Sequence, residues 1–492
     1  MDYRSTRGSE KVVNSAQAVL RGLADDGGLY MMEKLPEFDW KACLQKDTKG
    51  MAKQILASLL PDIPDMDTLV ERAYTGKFQT EELTPTVKVG PFTVLELFRG
   101  PTSAFKDVAL CMLPQLLTAA KRTQGMEEDI LILTATSGDT GKAALAGFAD
   151  VPGVGICVFY PDGGVSAVQR AQMVTQQGNN VRVCAVKGNF DDAQTGVKNL
   201  FSSSEFAEKV NAKGKVLSSA NSINFGRLVP QIVYYFSAYA DLLNEGVISL
   251  GDPVNFVVPT GNFGNILAAY YARNMGLPVG KLICASNRNN VLTDFFRNGV
   301  YDTRRTFFKT TSPSMDILIS SNLERLLYEC ADRDGELVAT WMKQLKECYT
   351  YAIGEQRQEW MRDVFDAGYC DDQQCAAEIR ARFETDHYLM DTHTAVASHV
   401  LKEYREKTGD MTPAVIVSTA SPYKFAADVL SAVEGKEAVN GLDAFQCSEM
   451  LEKVTGVKVP QQVKELRQLP VRHKQQCQKD KMAEAVMEAF GE

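Results

Sequence analysis

The sequence predicts an α/β protein: a mainly parallel sheet with helices on both faces, preceded by a helical extension and carrying a helical insertion or cap. Three observations carry this. From about residue 86, short runs of consecutive apolar residues rich in Val and Ile alternate with amphipathic stretches of helical length. That is the pattern of strands buried on both faces and joined by helices. Two of those runs pass through glycine-rich turns into helices, as βα connections at the ligand-binding edge of such sheets do. The chain has 492 residues, 45% hydrophobic and 23% charged; at roughly 100–200 residues per domain it holds about two to four, with a large core.

Taken in order, residues 1–85 read as short helices. One spans 9–23 and ends at the turn Asp25-Asp-Gly-Gly28, before apolar Leu29-Tyr-Met-Met32; another spans 65–74. No strand is expected there. Strands are expected at 92–97, 130–135, 155–160, 181–186, 254–258, 282–285 and 414–418. The helices between them are 106–123, 141–149, 165–177, 191–202, 227–243 and 265–275. Residues 287–390 break the rhythm: 287–321 is polar and irregular, and 323–384 reads as several charged helices. A helix at 394–407 and the strand 414–418 resume it, and from 426 onward the chain is charged and helical. The expected domains are therefore 1–85, a helical extension; 86–425, an α/β region with an insertion at about 287–390; and 426–492, a helical cap.

Composition narrows the function. With 53 Lys plus Arg against 62 Asp plus Glu, the net charge is −9. That excludes a broad nucleic-acid surface but leaves room for a local basic pocket that binds a small anion. No apolar run approaches the ~18 residues of a membrane span, and the start Met1-Asp-Tyr-Arg-Ser-Thr-Arg7 lacks a signal-peptide core. The eleven Cys, none in a C-x-x-C pair, read as reduced thiols of a cytoplasmic protein. The four His, at 387, 393, 399 and 473, show no metal-ligand spacing.

Five segments carry chemistry. In Gly100-Pro-Thr-Ser-Ala-Phe-Lys106-Asp-Val-Ala-Leu-Cys-Met-Leu-Pro114, Thr102 or Ser103 can cap a helix that is apolar on every face. Lys106 then lies in its first turn, where burial and the helix dipole favour the neutral amine, the form that makes a Schiff base. A lysine reaching the surface, or paired with Asp107, fits the same position. In Ile130-Leu-Ile-Leu-Thr-Ala-Thr136-Ser-Gly-Asp-Thr-Gly141-Lys-Ala, a buried strand runs through hydroxyl residues and glycines into a helix, an anion cradle. The P-loop pattern does not fit, because residue 136 is Thr and Lys142 is followed by Ala. Val254-Asn-Phe-Val-Val-Pro-Thr260-Gly-Asn-Phe-Gly-Asn265 repeats the logic. Either turn alone suits a ligand-free βα connection; two in one protein point to two anionic groups. Ser218-Ser-Ala-Asn221-Ser-Ile-Asn224-Phe-Gly-Arg227 brings two Asn, a Ser and an Arg before an apolar helix, either an anion grip or a capping network. Ala414-Val-Ile-Val-Ser-Thr419-Ala-Ser421-Pro-Tyr-Lys424-Phe ends a buried strand in hydroxyls, a ligand edge or a plain strand end.

Together Gly100–Asp107, Ser137–Gly141, Asn221–Asn224, Thr260–Asn265 and Ser418–Phe425 closely resemble threonine synthase, in the family's order and over most of the chain. Tyr3–Arg7 and Gly22–Tyr30 resemble that family's N-terminal domain. The resemblance implies a pyridoxal phosphate (PLP) enzyme of the tryptophan synthase β-like fold, a two-domain scaffold of open, mainly parallel sheets with flanking helices, so that residues 86–425 would form two lobes. It makes Lys106 the Schiff-base lysine and later proton shuttle, and gives the cofactor phosphate to Gly261, Asn262, Phe263, Gly264 and Asn265. Thr419 would bond the pyridine nitrogen; Thr136, Ser137, Asp139 and Thr140 would hold the substrate carboxylate; Asn221, Ser222, Asn224 and Arg227 the substrate phosphate or the cofactor ring face. The implied reaction turns O-phospho-L-homoserine and water into L-threonine and phosphate. The alternatives are a phospholyase releasing 2-oxobutyrate, or a non-catalytic relative. The implied partner is a small phosphorylated amino acid, with no nucleic acid or membrane, on a monomer or homodimer. Arg99 and Arg170 stand where many relatives have His and Glu, either strengthening phosphate binding or varying the surface.

Overall fold

The structure is a computed structural model that describes residues 1–491 except 137 and 164. It opens, against expectation, with an antiparallel sheet: β1 (Asp2–Ser5), β2 (Val13–Asn14) and β3 (Tyr30–Met32), in the order β2-β1-β3. These strands hold two to four residues, and every residue of β3 is buried, so no period-2 alternation marks them. The expected helix at 9–23 shrinks to Ser15–Arg21, because Asn14 and Gln17 form a capping box at its start. The helix Met66–Tyr74 stands where expected, and Thr48–Leu59 joins it.

Two larger sheets follow. β4 (Thr86–Val89) and β5 (Phe92–Glu96) form a hairpin. Next come β6 (Asp129–Ala135), β7 (Val154–Pro161), β8 (Val181–Lys187), β9 (Lys215–Ser218), β10 (Val254–Pro259) and β11 (Val279–Ser286). β12 (Val300–Asp302) pairs with β13 (Thr350–Ala352) outside the main sheets; β14 (Phe365–Tyr369), β15 (Ala414–Ser418) and β16 (Gln475–Gln478) complete the set. The six-stranded sheet has the order β14-β11-β10-β15-β5-β4, parallel apart from β4. The five-stranded sheet has the order β16-β8-β7-β6-β9 and is parallel throughout. All residues of β5, β10 and β15 are buried, which is why they read as unbroken apolar runs.

Two expectations about organisation are corrected. Residues 287–390 are more than an insertion, since β14 within them is an edge strand of the larger sheet. Residues 426–492 are more than a helical cap, since β16 is an edge strand of the smaller one. β16 reads Gln-Gln-Cys-Gln and is half-exposed along its length, so hydropathy cannot show it. The expected helix at 227–243 is three pieces, Phe225–Leu228, the 3-10 turn Val229–Ile232 and Val233–Asn244. Pro230 brings no N–H to the ladder at that break. Helix Lys106–Thr123 starts and ends as expected and is buried over most of its length. It packs on Asp139–Phe148, Ser15–Arg21 and Met66–Tyr74, so the N-terminal unit, the smaller sheet's first helix and the helix that opens at Lys106 share one apolar core.

Candidate active site

Three neighbouring parallel strands of the larger sheet, β10, β15 and β5, deliver Thr260–Asn265, Thr419–Lys424 and Gly100–Lys106 from their C-terminal ends. That is the edge at which open α/β sheets bind ligands. Backbone bonds align the last two segments: the Phe105 N–H donates to Thr419 O at 2.9 Å, and Ala104 bridges Ala420. Thr102 does not cap the lysine helix. Its N–H and hydroxyl donate to the Asp107 carboxylate, at 2.8 and 2.6 Å. Phe105, whose side chain makes no cap, is the N-cap residue, and Lys106 opens the helix. Asp107 is thus turned to Thr102, and burial pushes its carboxyl up.

Lys106 is half-buried, and its amine falls to about 8. Burial is the main cause; Asp139 opposes it, and the Arg227 and Lys424 cations add to it. The helix N-terminus acts in the same sense. A neutral, nucleophilic amine is therefore well populated near neutral pH.

Asp139 reaches this centre from the smaller sheet, after β6. Its carboxylate accepts from Lys424 Nζ at 2.7 Å and from Gln169 Nε2 at 3.1 Å. Both members of the ion pair are buried, and Lys424 Nζ also donates to Thr102 O at 3.0 Å. Lys424 and Lys106 hold the Asp139 carboxyl far below the usual range despite its burial. The Asp139 side chain is thus committed to Lys424. Thr136 is likewise committed, since its hydroxyl accepts from the N–H groups of Gly138 and Gly141, each at 3.0 Å, and caps helix Asp139–Phe148. Thr140 is half-buried beside them, and Ser137 lies outside the described residues.

The turn after β10 holds a left-handed non-glycine residue, Phe263 at φ +66°. Such a conformation persists where the surroundings over-determine it. Here the ring is buried, stacks on Phe296 and lies tilted against Phe365, each 6.0 Å away. No side chain of the N-cap residue caps the helix it opens, Gly264–Asn274, so its first N–H groups remain available to an anion. Gly261 lies so close to the segment 312–316 that a Cβ there would sit 2.6 Å from Ser314 O. Asn262 is exposed and Asn265 buried. Asn265 Oδ1 accepts from Tyr234 and Tyr235 hydroxyls at 2.5 and 2.7 Å, which leaves buried Nδ2 without a partner.

The segment 221–227 divides by role. Asn224 is structural: its amide donates to Val19 O at 2.9 Å and accepts from Gly226 N. Asn221 is exposed and Ser222 half-exposed. Arg227 is buried; Nη1 donates to Ala220 O at 2.9 Å, while Nε has no partner. Burial alone lowers its guanidinium to about 10. A buried guanidinium without an anion is costly. Two unpartnered buried donors, Arg227 Nε and Asn265 Nδ2, together with a lysine whose basicity is lowered, fit a ligand rich in anionic oxygens and carrying a carbonyl, as pyridoxal phosphate does. Arg99 is tied to Glu96 and Gln79, and Arg170 is exposed. The sequence reading missed Gln169, Tyr234 and Tyr235, and it quoted Lys424 without giving it a role; a lysine two residues after the proline that follows a buried strand was the available signal. Among the described residues no group of three or more His, Cys, Asp or Glu is placed to hold a metal.

Comparison with known proteins follows this geometry. The family model described as pyridoxal-phosphate dependent enzyme matches residues 74–420, that of the threonine synthase N terminus 2–74, and that of the threonine synthase C-terminal region 394–489. The chain is 40% identical to Pseudomonas aeruginosa threonine synthase over 86% of this chain and 89% of that one. It is 41% identical to human threonine synthase-like 1 over 86% of this chain, but spans 58% of that protein's length. Among solved structures, PLP-bound threonine synthase from Brucella melitensis superposes with a TM-score of 0.87 at 36% identity, covering 100% and 99% of the two chains. Yeast threonine synthase superposes with a TM-score of 0.88 at 32% identity, also covering 100% and 99%.

Proposed function

The chain belongs to the threonine synthase family of pyridoxal-phosphate-dependent enzymes, and from that premise we propose that it converts O-phospho-L-homoserine and water to L-threonine and phosphate. The observation that carries the substrate is Arg227, a buried guanidinium with an unpartnered Nε whose charge is felt at Lys106. A phosphate on the substrate would supply the missing counter-ion, bidentately.

In this reading Lys106 holds the cofactor covalently, the Gly261–Asn265 turn holds its phosphate, and Thr419 partners its ring nitrogen. Pyridoxal phosphate, when bound, supplies the electron sink that acidifies the substrate Cα–H. Once the substrate amine has displaced it from the cofactor, Lys106 Nζ would take the Cα proton, give that proton up, and as the neutral amine again take a Cβ proton, a cycle that its lowered basicity favours. Arg227, with Asn221 and Ser222, holds the γ-phosphate and stabilises it as it leaves. The backbone of the Thr136–Thr140 turn, with the Thr140 hydroxyl, takes the substrate carboxylate, because the Asp139 carboxylate is held by Lys424. Among the described residues no helix is long and apolar enough to cross a membrane.

The test is to incubate the PLP-loaded protein with O-phospho-L-homoserine and quantify phosphate, threonine and 2-oxobutyrate. Phosphate and threonine in equal amounts are expected. A phospholyase would instead give phosphate with 2-oxobutyrate. No phosphate release would overturn the substrate. Arg227→Ala is expected to raise KM roughly 10–100-fold, the loss of a charged hydrogen-bond pair, with PLP retention little changed. Equal loss of both would move Arg227 to the cofactor.

A further inference from the structure

Arg325 is fully buried, in the region that the sequence reads as an insertion. Its guanidinium donates to three neutral acceptors on three separate parts of the protein. Nε donates to Tyr30 O in β3 at 3.1 Å, Nη2 to Ile223 O at 2.7 Å, and Nη1 to the side-chain oxygen of Asn322. Asn322, also fully buried, completes the bracket. Its backbone N–H donates to Asn262 O at 3.0 Å and its Nδ2 to Ser222 O at 3.2 Å. Ser320, two residues earlier, donates to Gly261 O at 2.6 Å. Arg325 and Asn322 therefore clamp the turn assigned to the cofactor phosphate onto the segment assigned to the substrate phosphate, and both onto the N-terminal sheet. The nearby Glu324 carboxylate is taken by Thr6 and Arg7, at 2.6 and 2.8 Å. The guanidinium thus stands behind the Asn221–Arg227 segment as a second buried cation bonded to neutral oxygens.

We propose that Arg325, together with Asn322, is a positioning residue for both phosphate sites: it fixes the distance between the Gly261–Asn265 turn and the Asn221–Arg227 segment. This rests on the assignment of those two segments made above. The side chains of Arg325 and Asn322 hold Ile223 O and Ser222 O of one segment, while the Asn322 backbone N–H and the Ser320 hydroxyl hold Asn262 O and Gly261 O of the other, so the run 320–325 ties the two together and neither moves without loosening its partner. Holding both anion sites in one geometry removes the ordering cost that each ligand would otherwise meet. An arginine is required, because a lysine lacks the planar fork that reaches three acceptors at once.

The experiment compares Arg325→Lys and Asn322→Ala with the parent protein. Binding of inorganic phosphate to the PLP-loaded protein is followed by calorimetry, and PLP rebinding to the apoprotein by absorbance. Both variants are expected to weaken phosphate and PLP binding together, roughly tenfold each for the hydrogen bonds lost, with kcat changing much less than KM. In an Arg227→Ala background, Asn322→Ala should no longer alter phosphate binding, because the segment it positions has lost its grip. Lower melting temperature with both affinities unchanged would overturn the proposal, as would loss of one affinity alone. Should Arg325→Lys fail to fold, Asn322→Ala, which keeps the backbone bond to Asn262, still decides the question. Both affinities are read without turnover, so a protein that makes no threonine would defeat the proposed reaction and leave this inference standing.

Discussion

At Lys106 neighbours of opposite sign compete over one amine. Burial lowers it, Asp139 opposes, and Arg227 and Lys424 tip the result to about 8. The neutral form therefore dominates above about pH 8, and the rate of PLP capture by the apoprotein should climb with pH, reach half its limit near 8, and then level off. A climb continuing toward the ordinary lysine value, seen by stopped-flow absorbance, would contradict the assignment. Lys424→Met removes a cation that depresses the amine and frees the Asp139 carboxylate that raises it, so the midpoint should move to higher pH; a downward move would be the wrong sign. Asp139→Asn leaves Lys424 buried without its counter-ion. Breaking a buried pair in this way costs about 3–5 kcal/mol, which thermal melting should register. At this scale the sequence was legible for Lys106, whose place in the first helical turn follows from the apolar run after it. It was not legible for the partner of Asp139, because Lys424 lies 285 positions away on another sheet.

The helix that carries Lys106 contains Pro114, and that proline decides how its neighbour packs. Lacking an N–H, Pro114 leaves the carbonyl of Leu110 without its partner four residues on. Helix Asp139–Phe148 crosses at this point, with Gly147 so close that a Cβ would lie 1.9 Å from Leu110 O. Gly147→Ala is therefore expected to push the two helices apart at a cost of about 1–3 kcal/mol. Its melting temperature should fall, and PLP affinity should fall with it, since both Lys106 and Asp139 ride on these helices. An unchanged melting temperature would show that the contact yields freely. Elements buried on both faces, such as β5, β10 and β15, could be read from hydropathy. β3 and β16 could not, the first being too short to show a period and the second too polar.

Across the whole molecule, the distant ends of the chain complete the structure around the site. β16 covers the edge of β8, and the helix Met482–Phe490 covers the apolar face that includes Cys184 and Val186. Ending the chain at residue 470 would uncover both, and an exposed parallel edge with an apolar face associates. The truncated protein should bind hydrophobic dye and elute as aggregates; a monodisperse, PLP-retaining truncation would refute this. At the other end, β3 meets Arg325, and Val19 accepts from Asn224, so the N-terminal unit braces the phosphate segment.

What the sequence by itself determined is the set of parts: a lysine at a helix start, two glycine-rich turns after buried strands, and an arginine beside asparagines. Each depends on local spacing and burial pattern, which the order of residues records. What only the tertiary structure decided is how those parts are joined. Asp139 answers to Lys424 rather than to a ligand, Asn224 to Val19, and Arg325 to three carbonyl-type oxygens far apart in the chain. Hydrogen bonds between residues hundreds of positions apart exist because the sheets bring the strand ends together, and no local pattern encodes a partner that distance supplies.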